Sequence, residues 1–161
     1  MNALVVIDVQ KYFINEFTKD IPQKISDYIK ENKDKFDFIV FFKFVNNENS
    51  PFVKFYNWRN MMNPPETDLS PELEKIPHEL FIKSTRSCLR NDEFKKFLKD
   101  NKIEELYLCG FNTEECVMAT AFDAFDCGFN VFILKDLCAS SYVKGNHEKA
   151  IELLKNQFEV V

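Results

Sequence analysis

Leu106-Tyr107-Leu108-Cys109-Gly110-Phe111-Asn112-Thr113-Glu114-Glu115-Cys116-Val117-Met118-Ala119-Thr120 is the stretch whose reading decides the fold. It is an apolar strand that breaks at Gly110 and passes into a helix. Thr113 is the expected N-cap, and Glu114 and Glu115 fall in the first turn, where the helix dipole favours negative charge. Cys116 then lies in the opening turn, near the carboxyl end of the strand, the edge at which open α/β sheets bind ligands. A helix N-terminus helps a thiol toward thiolate, the nucleophilic form. The two neighbouring carboxylates oppose this, so an activated Cys116 needs a cation from elsewhere in the chain.

Working outward, the same strand-then-helix pattern repeats. Ala3–Val9 is a continuous β-branched run, as expected of a strand buried on both faces. Asp8 stands at its tip, followed by Gln10, Tyr12 and Phe13. Ile21–Asn32 places Ile25, Tyr28 and Ile29 on one helix face, with Pro22 in the first turn. Phe36–Phe44 is a second buried strand, Glu79–Ile82 a third, and Asp92–Asn101 a helix with Phe94, Phe97 and Leu98 inward. The helix from Thr113 is expected to reach Cys127, with Val117, Ala121, Ala124 and Phe125 toward the sheet, and to stop at Gly128 in a left-handed cap. Asn130–Leu134 is the fifth strand, Asn146–Asn156 a helix with Ala150, Ile151 and Leu154 inward, and Phe158–Val161 a sixth strand. Alternating strands and helices predict a three-layer α/β/α sandwich around a mostly parallel, six-stranded sheet.

Residues 1–161 are expected to form a single domain, since this length suits one sizeable core. A formal charge of −5, with both signs spread along the chain, leaves no basic patch for nucleic acid or an anionic membrane. No apolar run approaches the length of a membrane span. The opening Met1–Ile7 reads as a strand without a basic leader. Five cysteines without CxxC pairing suggest free thiols, so the expected location is the reducing cytoplasm. Three glycines leave little room for a glycine-rich phosphate loop.

Residues 45–77 show no sustained periodicity, hold most of the prolines, and carry Phe52, Phe55, Tyr56 and Trp58. Such a loop is either a lid or a cover for the sheet edge, and its aromatics argue that it packs down.

Three polar residues follow three strands: Asp8, Lys83 and Cys116. Two have an ordinary reading: Asp8 as a turn cap and Lys83 as a solvent-facing charge. If the strands are neighbours, a carboxylate, an ammonium and a thiol converge at one sheet edge. That trio could perform hydrolysis, with Lys83 stabilising the thiolate, Asp8 moving a proton to the leaving group, and Cys116 forming an acyl intermediate that water clears.

These residues resemble the isochorismatase-like cysteine hydrolases, which include nicotinamidases and N-carbamoylsarcosine amidohydrolases. Asp8-Val9-Gln10-Lys11-Tyr12-Phe13 is similar to that family's opening Asp-x-Gln-x-x-Phe. Lys83-Ser84-Thr85-Arg86-Ser87-Cys88-Leu89 is similar to its Lys-x-x-x-Ser-Ala-Phe, with the last two positions altered. Gly110–Val117 resembles its Gly-x-x-Thr-x-x-Cys-Val. The resemblance implies a catalytic triad of Asp8, Lys83 and Cys116, a non-proline cis peptide between Phe111 and Asn112, and an oxyanion hole made by the amides of Asn112 and Cys116. Relatives are often dimers or tetramers, so a homo-oligomer is expected.

The chain also departs from the family. Nicotinamidases carry a metal-binding Asp-x-His and a further His after the second strand, where this sequence has Phe42-Lys43-Phe44-Val45-Asn46-Asn47. His78 and His147 lack ligand spacing and read as surface or capping residues. No metal or other cofactor is therefore expected, and the small-molecule substrate is expected to be an amide or ureide cleaved at C–N through a Cys116 thioester. The candidate substrate contacts are Gln10, Phe13, Asn46, Ser50, Phe52, Trp58 and Phe111. Cys109 and Cys127 read as small core hydrophobes, while Cys88 and Cys138 have no assigned role. The competing expectation is a catalytically silent binding or regulatory module with the same fold.

Overall fold

The computed structural model describes residues 1–161. Six strands form one sheet in the order β3-β2-β1-β4-β5-β6, with every pair parallel. They are β1 (Asn2–Ile7), β2 (Phe38–Phe44), β3 (Glu79–Lys83), β4 (Glu105–Phe111), β5 (Asn130–Ala139) and β6 (Glu159–Val160). Helices α1 (Ile21–Glu31), α2 (Pro51–Tyr56), α3 (Asp92–Asp100), α4 (Met118–Asp126) and α5 (Asn146–Leu154) connect them. No helix is long and apolar enough to cross a membrane.

The β-branched run of β1 is buried along both faces because the strand lies in the middle of the sheet, between β2 and β4. Strand register divides the aromatics between layers. Phe42 and Phe81 are register partners that pack on Phe94 of α3. The opposite face carries Tyr107, which meets Phe36 at 5.2 Å, and Phe36 in turn meets Tyr28 of α1. Thus α1 and α3 cover opposite sides, which gives the three layers.

Several local readings change. β5 extends five residues beyond Leu134, through the polar pair Lys135-Asp136. An irregularity in its pairing with β4, between Leu108 and Gly110, interrupts the apolar periodicity. Phe125 was expected toward the sheet but is exposed, edge-on to Phe158. Cys127 is likewise exposed, since the C-cap of α4 lies on the solvent side. Gly128 ends that helix at φ +92°, in the left-handed cap. Residues 45–77 hold a helix unforeseen from periodicity: Ser50 accepts a hydrogen bond from the Val53 N–H, and Asn57 closes α2 in the left-handed region at φ +51°.

The β1–β4 junction requires a glycine. Gly110 has φ +113°, and a Cβ there would come within 2.1 Å of the Ile7 carbonyl oxygen. Without a side chain, β4 passes the end of β1 closely enough to bring Asp8 and the following helix to one place.

Candidate active site

β1 ends as the chain enters Asp8 at φ +54°, an uncommon conformation that Asp tolerates better than most residues. The carboxylate is completely buried, and its Oδ2 accepts a hydrogen bond from Lys83 Nζ at 2.6 Å. The expected convergence needed β1, β3 and β4 to be neighbours. Only β1 and β4 are, because β2 separates β3 from β1. At about 4.8 Å per strand the gap is roughly 10 Å, and the long lysine stem spans it over Phe44, with Nζ 5.3 Å from that ring. The ammonium also donates to the Thr85 carbonyl at 3.0 Å.

β4 ends at Phe111, and the Phe111–Asn112 peptide is cis. The next residues form a π-helical turn, Thr113–Val117, with the Val117 N–H bonded to the Asn112 carbonyl at 3.2 Å, before α4 continues as an α-helix. Cys116 lies in that turn. The N-cap position belongs to Asn112 rather than Thr113, whose hydroxyl is instead paired with His147 Nδ1 at 2.9 Å. His147 is therefore a half-buried tie between α5 and the Cys116 turn, and burial lowers its pKa. His78 stacks on Phe41 with ring centroids 4.1 Å apart, so it too differs from the expected surface or capping role.

Burial dominates the electrostatics. It pulls Lys83 down, but the Asp8 carboxylate outweighs it and leaves the lysine above its ordinary value. Burial raises Asp8, and Lys83 offsets this in part. Burial also pushes the Cys116 thiol well above its ordinary value; Lys83 recovers only part of the rise, and Asp8 adds to it. Burial thus works against the expected thiolate, and Lys83 offsets it only in part. Asp8 Oδ1 is buried without a hydrogen-bond partner, and it belongs to the carboxylate that couples to the Cys116 thiol. A proton has somewhere to go.

Cys116 opens into a cavity of about 360 Å³, lined also by Phe13, Phe44, Phe52, Trp58, Tyr56, Tyr142, Arg86 and Glu115. Of the expected substrate contacts, Phe13, Phe52 and Trp58 are there. Gln10, Asn46, Ser50 and Phe111 are not, for structural reasons. Gln10 spends its amide on Phe44 and Thr67, clamping β1 to β2 and the loop. Asn46 donates to the carbonyls of Trp58 and Asn60 and accepts from the Ser50 hydroxyl, while Ser50 caps α2. Phe111 is fully buried in the core. These residues shape the wall from behind.

Sequence reasoning missed Phe44, Tyr56, Arg86, Glu115 and Tyr142. Phe44 ends a strand, and Arg86 and Glu115 lie close in sequence to Lys83 and Cys116, so proximity could have suggested them. Tyr142 had no such signal, since only the unexpected length of β5 brings it to the cavity.

A three-layer fold with an all-parallel sheet, and a buried carboxylate–ammonium pair coupled to a thiol at its carboxyl edge, defines a class of thiol-bearing α/β proteins. The chain belongs to the isochorismatase family: residues 2–161 match the Isochorismatase domain. It is 30% identical over 70 residues to isochorismatase domain-containing protein 2 of Xenopus laevis, covering 44% of this chain and 34% of that one. The match thus spans about a third of that curated relative. A nicotinamidase structure from Bacillus subtilis superposes with a TM-score of 0.86 at 23% identity, covering 99% of this chain and 98% of the other. A pyrazinamidase from Pyrococcus horikoshii, solved in complex with zinc, gives a TM-score of 0.80 at 27% identity, covering 99% and 98%.

The residues of this chain do not fit such a metal. No three His, Cys, Asp or Glu side chains are grouped so that they could hold an ion. Asn46, just after β2, has its amide and carbonyl already committed within the loop.

Proposed function

We propose that the protein is a metal-independent cysteine hydrolase that cleaves the C–N bond of a small amide or ureide through a thioester on Cys116. The observation that carries this reading is the buried Asp8–Lys83 pair, held at 2.6 Å and coupled to a thiol that opens into a cavity. Membership of the isochorismatase family, and the amidases among its structural neighbours, support the choice of amide bond.

In this reading the substrate carbonyl faces the backbone N–H groups of Asn112 and Cys116, which stabilise the developing oxyanion. As sulfur bonds to the carbonyl carbon, its proton passes to Asp8. Lys83 remains protonated, fixes the carboxylate and offsets negative charge on sulfur. Asp8 then returns the proton to the leaving nitrogen as the C–N bond breaks, and the freed amine departs. Water, deprotonated by Asp8, attacks the thioester, releasing the acid and restoring the thiol. Raised by burial, Asp8 has a basicity nearer to that needed for proton transfer than an ordinary carboxylate. Residues 45–77 serve as a wall of the pocket, contributing Phe52, Tyr56 and Trp58.

The test is release of ammonia or amine from a panel of small amides and ureides. Cys116→Ala is expected to reduce turnover to background, and Asp8→Asn to lower kcat by about 10²- to 10⁴-fold. Full turnover in Cys116→Ala would remove the nucleophile from the scheme.

A silent binding module is the second reading, favoured by the raised resting thiol and by Cys88-Leu89 at the altered motif positions. It predicts ligand binding with no amine release under any condition. Self-association belongs to the proposal as well; the exposed Phe122, Phe125 and Leu153 offer apolar surface for it, and sedimentation velocity would measure it.

A further inference from the structure

The sheet ladder does not set the spacing between Lys83 and Cys116. β3, which carries the lysine, is three places from β4, which leads to the thiol. Asp8 supplies one link, accepting from Lys83 Nζ at 2.6 Å. A second link runs through the segment that follows Lys83. The ammonium donates to the Thr85 carbonyl at 3.0 Å, and the Thr85 hydroxyl donates to the Ser87 carbonyl at 3.0 Å. That carbonyl and the Cys88 N–H are the two ends of one planar peptide unit. The N–H donates to the Thr120 hydroxyl at 3.1 Å, and Thr120 donates in turn to the Cys116 carbonyl at 2.7 Å. Every bond in this chain donates toward Cys116, so each polarises the next. Thr120 is fully buried and is the one side chain that joins the two parts of the chain. Arg90 also ties the segment to α4, through Asp123 at 3.0 and 3.2 Å, but its side chain is 66% exposed and such pairs contribute little.

Resting on the hydrolase reading above, we propose that Thr120 is a positioning residue, the pin that holds the Lys83 segment against the Cys116 turn. It does not line the cavity and acts by fixing where the ammonium stands relative to the sulfur. Without its hydroxyl, the Cys88 N–H is buried and unpaired, a costly state that the segment escapes only by moving. That movement carries the Thr85 carbonyl away, and Lys83 loses its backbone anchor. Lys83 is the group that offsets the burial of the thiol, so a displaced ammonium leaves a smaller thiolate fraction on Cys116.

The experiment is alkylation with iodoacetamide at about pH 8.5, read at each cysteine by peptide mass spectrometry. Thr120→Val keeps the shape and loses the hydroxyl. It should slow Cys116 at least about tenfold, the effect of a one-unit rise in thiol pKa, while the exposed Cys127 reacts as before. Thr120→Ser keeps the hydroxyl and should restore the wild-type rate. Arg90→Ala, which breaks only the surface tie, should leave it unchanged. Thr85→Val severs the same chain at a half-buried position and should also slow Cys116; it decides the matter if Thr120→Val does not fold. A merely structural role has the opposite sign, because loosening the fold exposes Cys88, Cys109 and Cys138 and speeds all of them. A wild-type or faster Cys116 rate in the folded Thr120→Val protein, or in Thr85→Val where that protein does not fold, would overturn the proposal. So would a failed serine rescue or an equal loss in Arg90→Ala. On an amide that the wild type cleaves, Thr120→Val should lower kcat by about 10- to 100-fold with KM unchanged. Alkylation needs no turnover, so absence of amine release counts against the hydrolase reading alone, whereas full kcat in Thr120→Val counts against Thr120 alone.

Discussion

At the scale of single residues, the Asp8–Lys83 pair is the most consequential contact. Both side chains are out of water, so removing one partner leaves a buried charge unmatched. Lys83→Met is expected to lower unfolding free energy by about 3–5 kcal/mol, whereas Asp8→Leu/Lys83→Met should recover most of the loss; urea melts of the two variants make the comparison. Gly110→Ala puts a methyl into the Ile7 carbonyl at a positive φ and should cost about 3 kcal/mol by the same measurement. The motif residues Asp8, Lys83 and Cys116 were legible because their chemistry and strand-end positions are local properties. Arg86 was not, since a surface arginine and a pocket arginine look alike until Phe52 is placed beneath one of them.

At the scale of elements, the loop between β2 and β3 is the informative case. Of its aromatics, Phe52 and Trp58 pack on Phe44 while Phe55 and Tyr56 stay exposed, and α2 is only six residues long and too short to show a period. What holds it is polar: Asn46 ties together Trp58, Asn60 and Ser50, and Ser50 caps the helix. Reading these residues as substrate contacts failed because free polar side chains and ones committed to a loop share the same letters. Ser50→Ala is expected to cost about 1 kcal/mol and to raise KM more than it lowers kcat, because it loosens the wall carrying Phe52 and Trp58. Limited proteolysis should show faster cleavage between Asn46 and Met61.

At the scale of the whole molecule, four buried thiols give the fold a distinctive pH response. Burial raises Cys88 and Cys138 from 9.0 to about 12, and pushes Cys109 and Cys116 well above the ordinary value. In the unfolded chain these thiols lose protons near their ordinary value while the native state retains them. Their contribution is thus complete below about pH 9 and is lost as pH rises toward 12. Lys83, also raised, adds loss in the same direction above its ordinary 10.5. Stability measured by denaturant from pH 8 upward should fall, and Cys138→Ala should flatten the decline. Alternating strand and helix periods, the apolar β1, the glycine stops and the three strand-end motifs are short-range features, and from them the sequence by itself determined the sandwich, its single sheet and the strand-end positions of Asp8, Lys83 and Cys116. Only the tertiary structure decided that Lys83 reaches across β2, that burial pushes the Cys116 thiol up, and that Arg86, Glu115 and Tyr142 share its cavity. Strand order, dielectric surroundings and contacts between distant loops are properties of the assembled chain, and no local pattern of residues encodes them.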